Sequence, residues 1–273
     1  MAKAFGIVAA SPRRARVTGL QDHRPIGAFS FAGRYRTIDF PVSNLSNSDI
    51  DRIQVYVRQN PRSLTEHLGD GRQYNINSKH GKLQVMFAEQ SRVNAIYDTD
   101  IAAYSENLDI IARQASEYVV IVPSCMVFKQ DFRTLLNSHI ESGADITLLY
   151  HRVDNARESF LNCNILNLNR QKGVESIEGN PGSAKVQNVF MDTYIMKRDL
   201  FTEIIRKAQK ESSTYTLSQC VSLSCQNLDV RGVAHKGYFA SLLDLNSYFD
   251  ANMDLLDYDQ ANALFNSNWP IYT

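Results

Sequence analysis

The sequence predicts an α/β fold, a three-layer sandwich with a mostly parallel central sheet. Three observations carry that prediction. Short apolar runs recur without polar alternation, as strands covered on both faces require. Segments with helical apolar spacing lie between them. The two kinds alternate along the chain, and strands joined by helices of about 10–15 residues make βαβ units with parallel neighbours.

The elements follow in order. Residues 4–10 form the first apolar run. Residues 52–57 and 83–87 read as further strands, and 118–122 (YVVIV) is the clearest buried one, with four β-branched residues in five. Strands 145–153 and 188–196 continue the set. Neither 4–10 nor 118–122 alternates with polar residues, so both are expected inside the sheet. Tyr104, Leu108, Ile111 and Ala115 recur at helical spacing and predict one helix over 99–115. Phe132, Leu135, Leu136 and Ile140 mark another, as do Phe201, Ile204, Ile205 and Ala208. Leu245, Phe249, Met253 and Leu256 mark a last one. The Asn-rich stretch 157–169 suggests a hairpin insertion.

At 273 residues, with no linker or low-complexity tract, a single domain over 1–273 is expected. Lys+Arg and Asp+Glu both number 29, which argues against a domain built to bind nucleic acid or an anionic membrane. The longest apolar runs are too short to span a bilayer. The first residues lead into a strand, not a signal peptide. Cys125, Cys163, Cys220 and Cys225 form no CxxC pair and no ladder of metal spacings. These features predict a protein of the reducing cytoplasm.

In such sheets ligands bind on the loops after the carboxyl ends of strands. The first such loop reads Ser11-Pro12-Arg13-Arg14-Ala15-Arg16-Val17-Thr18-Gly19. A backbone phosphate cradle needs glycines, and none precedes Gly19, while Pro12 removes an N–H. The loop is nonetheless basic. Residues 1–60 hold nine Lys/Arg against four Asp/Glu, with Arg24, Arg34 and Arg36 close behind Arg13, Arg14 and Arg16. Phosphate binding by arginine and a solvated basic loop both fit. Asp98-Thr99-Asp100 matches a metal-binding DxD pattern, but its place at a helix start favours capping. The strand at 118–122 ends in Ser124-Cys125, where a metal-dependent phosphate enzyme would place Asp. No His or acid is spaced to activate Cys125, so a structural thiol is expected. The six histidines are scattered, with no pair at metal-ligand spacing.

One long run identifies a family. Residues 31–48 (FAGRYRTIDFPVSNLSNS) resemble the FGGKYRIIDFxLSNxxNS signature of bacterial ADP-glucose pyrophosphorylases, the glucose-1-phosphate adenylyltransferases. Residues 106–111 (ENLDII) resemble that family's QNLDII, and 128–132 (FKQDF) its YKQDY. Residues 246–255 resemble its LxAYxxANLDL through Tyr248, Ala251-Asn252 and Asp254-Leu255. The closing NWPIYT of 268–273 resembles the family's passage into a left-handed β-helix, so the chain reads as cut there, without that C-terminal domain. The resemblance implies a Rossmann-like, nucleotide-diphospho-sugar transferase fold. It also implies a reaction in which glucose 1-phosphate attacks the α-phosphate of ATP and pyrophosphate leaves. That anionic transition state needs a Mg²⁺ clamp, backbone N–H donors and basic side chains.

Against the family's chemical motifs this chain is degenerate. Only Arg16 survives from the GGxGxRL loop, and its GTADA element reads TDIAA at 99–103. The Gly-Asp after the central strand is Ser124-Cys125. Glu-Lys-Pro becomes Glu178-Gly179-Asn180-Pro181, and the last metal carboxylate of WRDVGT falls at Ser241. No intact catalytic set remains at Arg16, Cys125 and Ser241. Arg13, Arg14, Arg16, Arg34, Arg36 and Glu178 are the candidates for substrate or effector binding. No metal site or cofactor is expected, with Mg²⁺ only if residual activity exists. The pattern resembles the non-catalytic subunit of the two-subunit enzymes of Gram-positive bacteria. That implies a regulatory subunit of glycogen synthesis, partnered by a catalytic ADP-glucose pyrophosphorylase subunit in a hetero-oligomer and responsive to a sugar-phosphate effector. A weakly active nucleotidyltransferase and a sugar-phosphate-sensing module are the alternatives.

Overall fold

The computed structural model describes residues 3–76, 79, 81–87 and 95–273. Among these residues nine strands join one sheet. They are β1 (Ala4–Ala9), β2 (Arg52–Val57), β3 (Lys82–Phe87), β4 (Tyr118–Pro123), β5 (Ile146–Val153), β6 (Asn164–Leu168), β7 (Val174–Gly179), β8 (Gln187–Lys197) and β9 (Val230–Ala234). The main order is β7-β6-β8-β4-β1-β2-β3, with β5 paired to β8 and to β9. Strands β3, β2, β1 and β4 run parallel, and β9 runs parallel to β5. This is the mostly parallel central sheet that the sequence predicts. Both strands expected inside it are inside, β1 between β2 and β4, and β4 between β1 and β8. The sequence does not reveal that β8 runs antiparallel to both β4 and β5. The suggested hairpin exists with a shifted frame: β6 lies in the Asn-rich stretch and β7 is its return strand.

Helices cover both faces. They are α1 (Asp39–Asn47), α2 (Arg62–Leu68), α3 (Asp100–Glu106), α4 (Leu108–Ala112), α5 (Phe132–Ser142), α6 (Arg198–Glu211), α7 (Leu217–Ser224), α8 (Leu245–Asp254) and α9 (Tyr258–Leu264). Because strand side chains alternate, each central strand feeds two cores. Val8, Val120 and Val122 pack with α1, α2 and α5, while Phe5, Ile7, Val119 and Ile121 pack with α3, α4, α6 and α7. Gly6 lets α1 approach, since a Cβ there would stand 2.7 Å from Leu45 Cδ1.

The signature run serves this packing. Asp39 is fully buried and accepts from His67 Nε2 and Tyr74 Oη, each at 2.6 Å, and from the Arg36 N–H at 2.8 Å. Asn44 donates to Phe128 O at 2.9 Å and accepts from Trp269 Nε1 at 2.9 Å. Asn47 donates to Pro270 O, and Ser43 accepts from the Tyr272 N–H. The run therefore ties α1 to the segment after β4 and to the closing residues.

Two helix expectations change. The helix over 99–115 is broken at Asn107 into α3 and α4, and the Asn107 side chain donates to Ala103 O at 3.0 Å, a local bond that competes with helix continuation. Helix α8 forms, but its apolar stripe faces outward: Leu245, Phe249, Met253 and Leu256 are 52%, 60%, 47% and 77% exposed. Its packed face is the small and polar one. Ala251 is buried, Tyr248 Oη donates to Ser30 O and Asn252 accepts from the Ala32 N–H. Among the described residues no helix is long and apolar enough to cross a membrane.

Candidate functional site

Strands β1, β2 and β4 are parallel neighbours, so the residues that follow them meet at one edge. There the loop after β1, Arg58 after β2 and Ser124 after β4 line a cavity of about 860 Å³. Arg13, Arg14 and Arg16 all line it, together with Arg58. Arg34, Arg36 and Glu178 are not among its lining residues. The Arg34 guanidinium stands 5.7 Å from the Tyr35 ring centre, and Arg36 donates to Ser63 O at 2.7 Å. Glu178 lies exposed on β7 and accepts from Ser176 Oγ.

The loop after β1 is held by its own backbone. The Ala15 N–H donates to Pro12 O at 2.9 Å and the Arg16 N–H to Leu243 O at 2.7 Å. The Val17 N–H donates to Gln21 Oε1 at 3.1 Å, and both Ala15 and Val17 are buried. Three successive N–H groups are thus consumed inside the protein, so this stretch makes no anion cradle.

Arg14 turns inward. Its Nη2 lies 2.6 Å from Asp192 Oδ2, with the side chains 28% and 15% exposed. Burial pushes the Asp192 carboxyl upward, and Arg14 pulls it back toward the ionised form. Asp192 sits where the register of β8 with β5 shifts, at φ +44°, a left-handed backbone uncommon for a residue with a side chain. Arg58 donates to Asp98 O at 2.9 Å. The DxD segment caps a helix, as expected. Thr99 is the N-cap of α3 and accepts from the Ala102 N–H, while Asp100 accepts from the Leu217 N–H.

The two positions where the family pattern leads one to expect metal carboxylates, Cys125 and Ser241, lie on neighbouring segments. The short strand Met126–Phe128 pairs with Phe239–Ser241, which sets Ser241 opposite Met126, and the Leu242 N–H donates to Cys125 O at 2.8 Å. Cys125 is fully buried, and burial drives its thiol far above the ordinary range. Cys163 donates to Ser241 Oγ at 3.4 Å, and burial pushes that thiol up to about 12. A hard divalent cation needs charged or carbonyl oxygens. Here it would meet a neutral thiol and an occupied hydroxyl, while the nearby Asp192 is engaged by Arg14. No group of three or more His, Cys, Asp or Glu able to hold a metal occurs among the described residues. The residues present do not fit Mg²⁺. Asn180, where the family pattern has lysine, is buried and donates to Ala156 O and Phe160 O.

Histidines thought scattered do meet. His151 Nδ1 and His235 Nδ1 are 3.2 Å apart, and His235 Nε2 lies 3.1 Å from Lys129 O. The carbonyl requires a proton on His235 Nε2, so in the neutral pair His151 Nδ1–H donates to His235 Nδ1. Arg58, Asp192 and Cys163 were not legible as site residues. Only the place of Arg58, directly after a strand, offered a signal.

The chain matches the nucleotidyl transferase family over residues 10–258. The glucose-1-phosphate adenylyltransferase of Clostridium perfringens (strain 13 / Type A) is 28% identical over 250 residues, covering 90% of this chain and 63% of that protein. That of Bacillus subtilis (strain 168) is 29% identical over 269 residues, covering 97% of this chain and 70% of that protein. That of Clostridioides difficile (strain 630) is 29% identical over 252 residues, with 90% and 64% covered.

Proposed function

The chain belongs to the nucleotidyl transferase family, and from that premise we propose that it is a regulatory, catalytically degenerate subunit of glucose-1-phosphate adenylyltransferase, serving ADP-glucose and glycogen synthesis in the cytoplasm. Its partner is a catalytic subunit of the same family, in a hetero-oligomer, and its small ligand is a sugar-phosphate effector. Neither nucleic acid nor membrane is a partner in this reading. It spans 63% of the length of the Clostridium perfringens relative, so the activity of the whole protein is part of the proposal.

One observation carries the reading. The segments that carry Cys125 and Ser241 run next to each other, yet neither residue offers a carboxylate and each is buried. Loss of the metal removes several kcal/mol of transition-state charge stabilisation, roughly three or more powers of ten in rate. The internally bonded loop after β1 removes the N–H donors that would compensate.

The test is ADP-glucose synthesis from ATP and glucose 1-phosphate with Mg²⁺, by the full-length protein alone and mixed with a catalytic subunit. The expected result is no product above background from the protein alone, and a changed rate or effector response in the mixture. Robust turnover by the pure protein would contradict the proposal.

A further inference from the structure

The loop after β1 and the irregular part of β8 flank one point of the sheet. Strand β4 lies between β1 and β8, with Pro123 opposite Ala9 of β1 and Ile121 opposite Tyr194 of β8. Asp192 stands just before Tyr194, so it falls beside the carboxyl end of β4. Arg14 arrives from the other side, on the loop that follows Ala9. Their ion pair, 2.6 Å from Nη2 to Oδ2, therefore crosses the end of β4, close to Cys125. A doubly wound sheet receives its ligands at the carboxyl ends of its strands. Here two side chains of the chain itself span that position.

Three observations set this pair apart from an incidental surface bridge. The side chains are only 28% and 15% exposed, and a partly buried charge-assisted bond is little screened by solvent. Asp192 keeps its left-handed backbone at the register shift between Phe190 and Thr193. Such strain persists where the surroundings over-determine it, and the bond to Arg14 is one such constraint. A second tie runs beside the first, with the hydroxyls of Ser11 and Ser124 3.3 Å apart.

We infer that the Arg14–Asp192 pair is a strap across the carboxyl end of β4, an internal contact that keeps the loop after β1 shut against β8. A molecule reaches the buried thiol of Cys125 at this edge only after the pair parts. The inference does not rest on the regulatory reading, since a strap of this kind gates an active site and a degenerate one alike.

Hydrogen exchange of the full-length protein, read by mass spectrometry, tests it. The N–H groups of residues 15–17 are the reporters, because their bonds to Pro12, Leu243 and Gln21 require the loop to keep its shape. Arg14→Met combined with Asp192→Asn removes both charges, strands no buried ion, and keeps at position 192 a residue that tolerates a left-handed backbone. It should speed exchange at 15–17 about tenfold, as loss of one charge-assisted bond would, and leave β1 and β4 as slow as before. Asp192→Asn alone leaves Arg14 a neutral acceptor and should give a smaller rise. In the double variant Cys125 should also react faster with iodoacetamide, while Cys220, buried on α7, keeps its rate and reports global opening. Unchanged exchange at 15–17 in the double variant, or a rise shared equally by β1, β4 and Cys220, would overturn the inference. ADP-glucose synthesis by the unaltered protein would contradict the functional reading and leave the strap standing.

Discussion

Two regions of this chain use their polar groups in different ways. Around α1, signature side chains each hold something distant: Asp39 holds α2 and Tyr74, while Asn44 holds the segment after β4 and Trp269. Around the loop after β1, side chains and backbone hold mainly each other. Ala15, Arg16 and Val17 spend their N–H groups locally or on Leu243, Cys163 caps Ser241, and Asp192 neutralises Arg14. The first region keeps the polar groups that the fold needs. In the second, most polar groups satisfy one another. On the proposed reading a site freed from catalysis would close on itself in this way, because unmet buried polar groups are destabilising whether or not the site works.

The largest expected effect lies in the first region. Asp39→Ala strands His67, Tyr74 and the Arg36 N–H at once, and should destabilise the protein by roughly 3–5 kcal/mol. Urea unfolding measures it, and a loss below about 1 kcal/mol would erase the contrast between the regions.

The seam between the regions is the His151–His235 pair, packed against Phe128 and Phe239. Burial lowers both histidines, His235 to about 4. A folded value below the ordinary one of about 6.5 means that the unfolded chain binds the proton first. Stability is therefore full above about pH 6.5 and falls as pH drops toward 4, by on the order of 2–3 kcal/mol at most. His235→Asn should flatten that window in unfolding curves taken from pH 7 to pH 4.5. An unchanged slope would assign the acid sensitivity elsewhere.

The smallest effect belongs to the second region. Ser241→Ala removes only the acceptor of a thiol donor, and should shift stability by less than about 1 kcal/mol. A loss as large as that of Asp39→Ala would show that this site, too, is built to hold the fold.

The sheet was legible because its signals are local. Unalternating runs at 4–10 and 118–122 report burial on both faces, and β1 and β4 are interior. The signature run was legible as a pattern, though not its targets, which lie as far along the chain as Trp269. Asp192 was hidden because it acts through a strand irregularity that no residue type announces. The outward stripe of α8 misled because periodicity reports that a helix has an apolar face and not what that face meets. Arg13, Arg14 and Arg16 were legible as a basic loop, but the inward turn of Arg14 depends on a partner 178 residues away.

The central claim is that the site is degenerate as a whole, not only in its metal ligands. ADP-glucose formation with Mg²⁺ by Cys125→Asp/Ser241→Asp protein tests it most directly. The account predicts a trace at most. Arg14 would still stand near the carboxylate at position 125, and the N–H groups of residues 15–17 would still be spent inside the protein. Groups that act as a unit return little when repaired singly. Adding Asn180→Lys should not help, since it breaks the bonds to Ala156 and Phe160. Robust turnover from the two aspartates alone would contradict the account.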